Sequence, residues 1–102
     1  MIETMFLVPV RDNDGVPFSL DDWAELELRL IQFNGFTVST GVSGVWRSQS
    51  GEVHRDESKR YEVSLESWRA FPAWLEVVEW VRIKFRQEAL YIRVAGTPEI
   101  LE

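Results

Sequence analysis

The stretch that decides the fold is 36-FTVSTGVSGVWRSQSGEVHRDESKRYEVSL-65. Its first third is rich in Thr, Val and Gly and alternates as a strand does, and residues 52–65 continue as a second long strand. Ser48–Gly51 supplies the turn formers of a hairpin loop between them. The stretch therefore predicts two antiparallel strands, over 36–47 and 52–65.

The loop length also predicts a register for this hairpin. A four-residue loop places Arg47 opposite Glu52. Extending that register brings apolar residues together on one face. The three apolar pairs are Phe36 with Val63, Val38 with Tyr61, and Trp46 with Val53. This face, with Trp46 on it, is expected to pack against helices.

A helix is predicted on each side of the hairpin. Ser19 and Asp22 stand in capping-box spacing, and Asn34-Gly35 supplies a stop, which predicts a helix over 19–33. Pro72 suits the first turn of a second helix over 72–86.

Shorter strands are expected over 5–10 and 88–94, followed by a short tail that opens at Ala95-Gly-Thr-Pro98. The order is then β-α-β-β-α-β. This order predicts one α+β domain over 1–102 with a ferredoxin-like fold, in which two helices cover one face of a four-stranded antiparallel sheet.

Composition narrows the functions available to this chain. The 102 residues carry 17 acidic and 11 basic side chains, a net charge of -6, which disfavours nucleic acid and anionic membranes as partners. There is no Cys and His54 is the one histidine, which excludes disulfides, thiolate catalysis and a multi-histidine zinc site within one chain. No cofactor or metal is implied. Neither a signal peptide nor a membrane span is evident, so the expected compartment is the cytoplasm.

Three short motifs resemble an uncharacterised bacterial family. They are Gly44-Val-Trp46, then Arg55-Asp-Glu-Ser-Lys59 after the turn glycine, and Phe85-Arg-Gln-Glu-Ala-Leu90. The family patterns are roughly G-x-W, R-E-x-S-K and F-x-Q-E-[AS]-[VL]. The resemblance implies a ferredoxin-like fold and brings no established activity.

The polar run 54–60 is the best candidate for a site. Arg55, Glu57 and Lys59 stand at spacings of two from Val53 and Tyr61, which face the helices, so they are expected to point the same way and to line a polar cavity there. The alternative interpretation is that this part of the hairpin extends past the helices, so that the charged side chains lie in water. Glu27 falls within the apolar stripe of the first helix, so its carboxylate is expected to pair with Arg55 or Lys59, to lie at the edge of the stripe, or to stay protonated.

The leading interpretation is a non-enzymatic ligand-binding or regulatory oligomer that holds a polar or anionic small molecule. Its candidate binding residues are Arg47, Arg55, Glu57, Lys59, Arg60 and Gln87. One alternative is a small cofactor-free monooxygenase, isomerase or hydrolase that uses Glu27 or the Asp56/His54 pair as its base. Another is a protein-interaction module.

Self-association is expected through the second helix. Trp80 and Ile83 lie outside the stripe that packs on the sheet. Two exposed apolar side chains in so small a domain predict a homodimer whose interface includes both.

Overall fold

Residues 1–101, the part of the chain that this computed structural model describes, form five strands and two α-helices. Single turns of 3-10 helix follow α1 and precede α2. The elements are β1 (Ile2–Pro9), α1 (Leu20–Leu30), β2 (Thr37–Arg47), β3 (Val53–Leu65), α2 (Phe71–Lys84), β4 (Leu90–Val94) and β5 (Thr97–Leu101).

The strands form one antiparallel sheet in the order β2-β3-β1-β4-β5. Its first four strands keep the expected β-α-β-β-α-β succession, but the prediction of a four-stranded sheet was wrong. Residues Ala95 and Gly96 have φ angles of 50° and 83°, the left-handed pair that a two-residue hairpin turn requires. The expected tail therefore folds back onto β4 as β5. Pro98 is tolerated there because β5 lies at the edge of the sheet.

The β2–β3 hairpin follows the expected register over only part of its length. Val38 lies opposite Tyr61 as predicted, but the register shifts by one residue between Ser39 and Val42. Gly41, at φ 67°, gives the bulge its left-handed residue. Arg47 consequently lies opposite Val53 instead of Glu52. A shift of one residue moves each side chain to the other face of the sheet. The residues of β2 after the bulge therefore face the side opposite to the one that the predicted register gives them.

Trp46 is the side chain most affected by this bulge. It lies opposite His54 instead of Val53, on the face turned away from the helices. Its expected place in the core was wrong, and 51% of its surface is exposed. We call this side of the sheet the open face.

Both helices pack on the other face, over β1 and the end of β3 that pairs with it. Ser19 begins α1 with the expected capping box, accepting from Asp22 N at 3.1 Å. Of the core residues expected from sequence, Phe36 is half-buried and Val38 is exposed. The buried apolar core is Phe6, Val8, Trp23, Leu26, Leu30, Tyr61, Val63, Leu65, Trp74, Val77, Val78, Val81, Phe85, Leu90 and Ile92. Within residues 1–101, neither helix is long and apolar enough to cross a bilayer.

Candidate functional site

A cleft of about 910 Å³ lies between the far half of the β2–β3 hairpin and the β4–β5 pair. The other cavities described measure about 260 to 460 Å³. Small-molecule sites usually occupy about 300–1,000 Å³, so this cleft has the volume of a ligand site. Its lining residues are Pro9, Arg11, Asp12, Asn13, Trp46, His54, Asp56, Gln87, Glu88, Ala89, Leu90, Tyr91 and Ile100.

The hairpin wall of the cleft is an aromatic pair tied to a carboxylate. The Trp46 and His54 rings stack with centroids 4.4 Å apart and planes 17° apart. Trp46 Nε1 donates a 2.7 Å hydrogen bond to Asp56 Oδ2. His54 and Asp56 share a face because they are two residues apart on β3, and the bulge in β2 turns Trp46 onto the same face.

The opposite wall is formed by Tyr91 on β4 and Ile100 on β5, which are register partners. Ile100 is 57% exposed although it lies in a sheet. The Tyr91 hydroxyl accepts from Arg93 Nη2 at 3.0 Å. The wall therefore offers an apolar surface with a polar edge.

Asp12 organises the loop at the rim of the cleft. Its Oδ1 accepts from the backbone N–H groups of Asp14 and Val16, each at 2.9 Å. Its Oδ2 accepts from Arg86 Nη2 at 3.1 Å. The hydrogen bond from the Val16 N–H is the largest cause that holds the pKa of Asp12 below its usual value, and Arg86 adds to it. The carboxylate is thus ionised and already satisfied.

The unpaired charges of the cleft are negative. Arg11 lies 3.6 Å from Glu57, and Asp12 is paired with Arg86. In the described part of the chain, neither Asp56 nor Glu88 forms an ion pair with a Lys or Arg. Residues 1–101 contain no group of three His, Cys, Asp or Glu side chains placed to hold a metal ion.

Glu27 and Lys59 have partners other than each other. The Tyr61 hydroxyl donates to Glu27 Oε2 at 2.8 Å, and Lys59 Nζ lies 4.0 Å from the centre of the Trp23 ring. Burial, followed by the hydrogen bond and charge of Glu27, raises the pKa of Tyr61. The neutral Tyr61 hydroxyl is therefore the partner of Glu27, in the place where the sequence predicts Arg55 or Lys59.

The remaining candidate residues are divided between the two faces of the hairpin. Arg55 lies on the Tyr61 side of β3, opposite Val45 and outside the helical cover. Arg60 lies on the open face, where it pairs with Glu62 and bonds Ser39. The candidates that meet in the cleft are His54, Asp56 and Gln87.

Most of the lining residues are not candidates from the sequence, among them Trp46, Tyr91 and Ile100. The sequence predicts a core position for Trp46 and a tail for Ile100. Tyr91 carried a usable signal, because strict alternation with Leu90 and Ile92 places it on the open face.

The surface around Trp80 is partly covered within the chain. The Arg29 guanidinium lies 4.0 Å above the centre of the Trp80 ring, whereas Ile83 is 63% exposed. A homodimer through Trp80 and Ile83 stays a prediction.

No protein-family model matches the chain, and no curated protein matches it in sequence. Solved structures do share its fold. A phage SAM lyase in complex with S-methyl-5'-thioadenosine aligns with a TM-score of 0.65 and 16% identity, over 97% of this chain and 85% of that one. A phage SAM lyase in the apo state aligns at 0.61 and 13% identity, over 97% and 85%. The divalent cation tolerance protein (Cut A1) from Thermus thermophilus aligns at 0.56 and 19% identity, over 99% and 81%.

At these identities the likeness shows the fold alone. The chain is a small α+β domain that shares its architecture with one protein named as an enzyme and another named for cation tolerance. The same architecture thus carries different functions, and function has to be argued from the site.

Proposed function

We propose that this protein is a non-enzymatic ligand-binding domain, working as a small oligomer, that holds a flat polar molecule in the cleft between the hairpin and β4–β5. The observation that carries the proposal is the Trp46–His54 stack hydrogen-bonded to Asp56. An exposed aromatic surface beside a carboxylate suits a heterocycle that stacks through its ring and donates N–H groups from its edge.

The ends of the cleft support a ligand with both apolar and polar parts. Tyr91 and Ile100 offer apolar surface across from Trp46. Gln87 and Glu88 lie at the junction between α2 and β4, where they close the cleft with polar groups. A nucleoside combines these requirements, since it has a stacking base and a hydrogen-bonding sugar.

The charge of the cleft distinguishes between the polar and the anionic ligand expected from sequence. Of the carboxylates that line the cleft, Asp56 and Glu88 form no ion pair within residues 1–101, so an anion would be repelled. An uncharged or cationic heterocycle is favoured. S-methyl-5'-thioadenosine, the compound bound to the phage SAM lyase, is an uncharged molecule of this kind and makes a suitable probe.

The two carboxylates among the candidate bases, Glu27 and Asp56, are both engaged in hydrogen bonds, which supports binding over catalysis. Glu27 accepts from the Tyr61 hydroxyl and Asp56 accepts from the Trp46 indole. Asp56 still has its second oxygen to accept an N–H group from a ligand.

Isothermal titration calorimetry with S-methyl-5'-thioadenosine, adenosine and AMP tests the proposal. We expect the two uncharged nucleosides to bind more tightly than AMP, because the phosphate of AMP adds negative charge. Trp46→Ala should weaken nucleoside binding about tenfold, the effect of losing one base–aromatic stack. Asp56→Asn, which keeps an acceptor for the indole but removes the charge, should weaken it by a similar factor.

Matched variants outside the cleft control for general effects on folding. Trp68 is also an exposed tryptophan, at 57%, and Glu76 is an exposed carboxylate on α2. Trp68→Ala and Glu76→Gln should leave binding unchanged. The proposal is wrong if none of the three compounds binds up to about 1 mM, or if Trp46→Ala binds as the wild type does while remaining folded.

A further inference from the structure

The two edges of the sheet are protected to different degrees. β5 is five residues long and contains Pro98, which has no backbone N–H, and the charged Glu99. β2 is eleven residues long, contains no Pro, and carries no charge before Arg47 at its end. Long, uncharged edges without proline pair readily with another strand.

β2 carries no acidic residue, although the chain as a whole has a net charge of -6. Two copies of an acidic protein repel each other over most of their surfaces. β2 has no acidic residue, so it is a segment where this repulsion is least. The bulge at Gly41 separates its first three paired residues from the straight segment Val42–Arg47.

We propose that Val42–Arg47 is a self-association edge, along which two copies of this chain pair antiparallel about a two-fold axis at Gly44. A second copy is the natural occupant because each copy offers one long edge that has no Pro and no charge before Arg47, and two identical edges meet through a two-fold axis. The paired strands would join the two sheets into one sheet of ten strands. This inference shares Trp46 with the proposed ligand site, but its test through Gly44, which does not line the cleft, needs no ligand.

The side chains determine the register. In a continuous sheet related by a two-fold axis, directly opposite residues share a face, so the residue numbers in each pair sum to an even number. With Gly44 at the axis, Val42 lies opposite Trp46 of the second copy, and this pair occurs twice. Pairs of an aromatic and a β-branched residue are among the favourable cross-strand pairs. Shifting the axis to Val45 would place Trp46 against Gly44 and lose both pairs.

The same register buries exposed apolar surface without opposing like charges. Val45 is 57% exposed and Trp46 is 51% exposed. Val45 lies opposite Ser43 of the second copy, and Arg47 lies at the end of the paired segment, next to the uncharged bulge around Gly41. Covering these side chains gives the interface an apolar centre with its charges at the ends.

Disulfide trapping tests the axis directly, because the chain contains no Cys. Opposite Cα atoms in an antiparallel pair are about 4.5–5.5 Å apart, within the range that a disulfide spans. A Cβ at Gly44 meets no atom within 4 Å, and its φ angle is not left-handed, so Gly44→Cys should fold normally. On mild oxidation we expect Gly44→Cys to form a covalent dimer that a reductant reverses, and Glu99→Cys on β5 to stay monomeric.

Sedimentation velocity gives an independent measurement. We expect the wild type at twice 11.9 kDa, and Gly44→Lys, which places two ammonium groups opposite each other at the axis, at 11.9 kDa. Trp80→Ala tests the alternative interface on α2 that the sequence predicts, and it should leave a dimer through β2 intact. A monomeric wild type overturns the proposal. Equal cross-linking through Glu99→Cys also overturns the proposal and assigns the contact to β5. Dissociation by Trp80→Ala but not by Gly44→Lys overturns it too and assigns the contact to α2.

Discussion

The Tyr61 hydroxyl donates a 2.8 Å hydrogen bond to the carboxylate of Glu27, which joins β3 to α1 at the border of the core. Tyr61 is fully buried, whereas Glu27 is half-buried. An acidic residue in the apolar stripe of α1 is thus satisfied by a neutral donor and keeps contact with water.

The raised pKa of Tyr61 makes stability depend on pH at the alkaline end. The unfolded chain releases this proton near pH 10, whereas the native state retains it to higher pH. The stabilisation is therefore fully present below pH 10 and is lost as pH rises beyond that value. We expect the free energy of unfolding to fall between pH 10 and 11, and to fall less in Tyr61→Phe, as measured by urea titration.

At neutral pH, Tyr61→Phe should lower the free energy of unfolding by about 1–2 kcal/mol, because it removes a hydrogen bond to a charged group. Tyr91→Phe is the control, since Tyr91 is half-buried on the open face. An identical alkaline decline in wild type and Tyr61→Phe would show that other groups cause it.

The elements with strong local signals could be predicted from the sequence. Ser19 and Asp22 began α1 where the capping box indicated, and α2 began beside Pro72. The Ser48–Gly51 turn also lies between the two long strands as expected. Such signals depend on a few neighbouring residues, so they are readable without knowledge of the fold.

The features that were missed depend on a single residue or on distant contacts. Thr40-Gly41-Val42 continues an apparent strand, and nothing local shows that one of its residues is extra. Ala95 is an uncommon residue at a positive φ, which concealed the last hairpin turn. The cleft was missed for both reasons, because its walls need the bulge to turn Trp46 and β5 to supply Ile100.

The bulge in β2 can be tested with two glycines on the same strand. Gly41 has a φ of 67°, where a Cβ is strained, so Gly41→Ala should lower the free energy of unfolding by about 1–2 kcal/mol. Gly44 has no such φ and no atom near its Cβ position. Gly44→Ala should be neutral or stabilising by up to about 1 kcal/mol. Equal effects of the two changes in urea denaturation would contradict the bulge at Gly41.

The turn before β5 offers a stabilising change. Ala95 has a φ of 50°, a conformation that glycine adopts without strain. Ala95→Gly should therefore raise the thermal midpoint, by the equivalent of about 0.5–1 kcal/mol. Val94→Gly is the contrasting change. Val94 is an ordinary strand residue, so this substitution should lower the thermal midpoint. A lower midpoint for Ala95→Gly would mean that the β4–β5 turn is formed differently.

Two leucines on α1 provide a matched test of the core. Leu30 is fully buried, whereas Leu28 is 74% exposed on the same helix. Leu30→Ala should cost about 2–5 kcal/mol, the range for emptying a packed apolar site, and Leu28→Ala should change stability by less than about 0.5 kcal/mol. Chemical denaturation measures both. A loss below about 1 kcal/mol for Leu30→Ala would show that α1 packs less closely than described.

The rim loop predicts a pH dependence at the acidic end. Asp12 accepts two backbone N–H groups and the Arg86 guanidinium, so its pKa in the native state lies below the ordinary value of 3.8. A depressed pKa contributes stability that is present above pH 3.8 and is lost as pH falls through the native pKa. We expect Asp12→Ala to have a lower thermal midpoint than the wild type at pH 7. The difference should shrink as the pH falls below 3.8.

The same substitution connects the loop to the ligand. Asp12 and Arg86 hold residues 12–16 against the end of α2, and Asp12 lines the rim of the cleft. Without that carboxylate the loop must be ordered when a ligand binds, so nucleoside affinity should fall in Asp12→Ala by a few-fold. Asp14→Ala is the control, because the Asp14 side chain does not line the cleft. A fall in thermal midpoint without any loss of affinity would confine Asp12 to a role in folding.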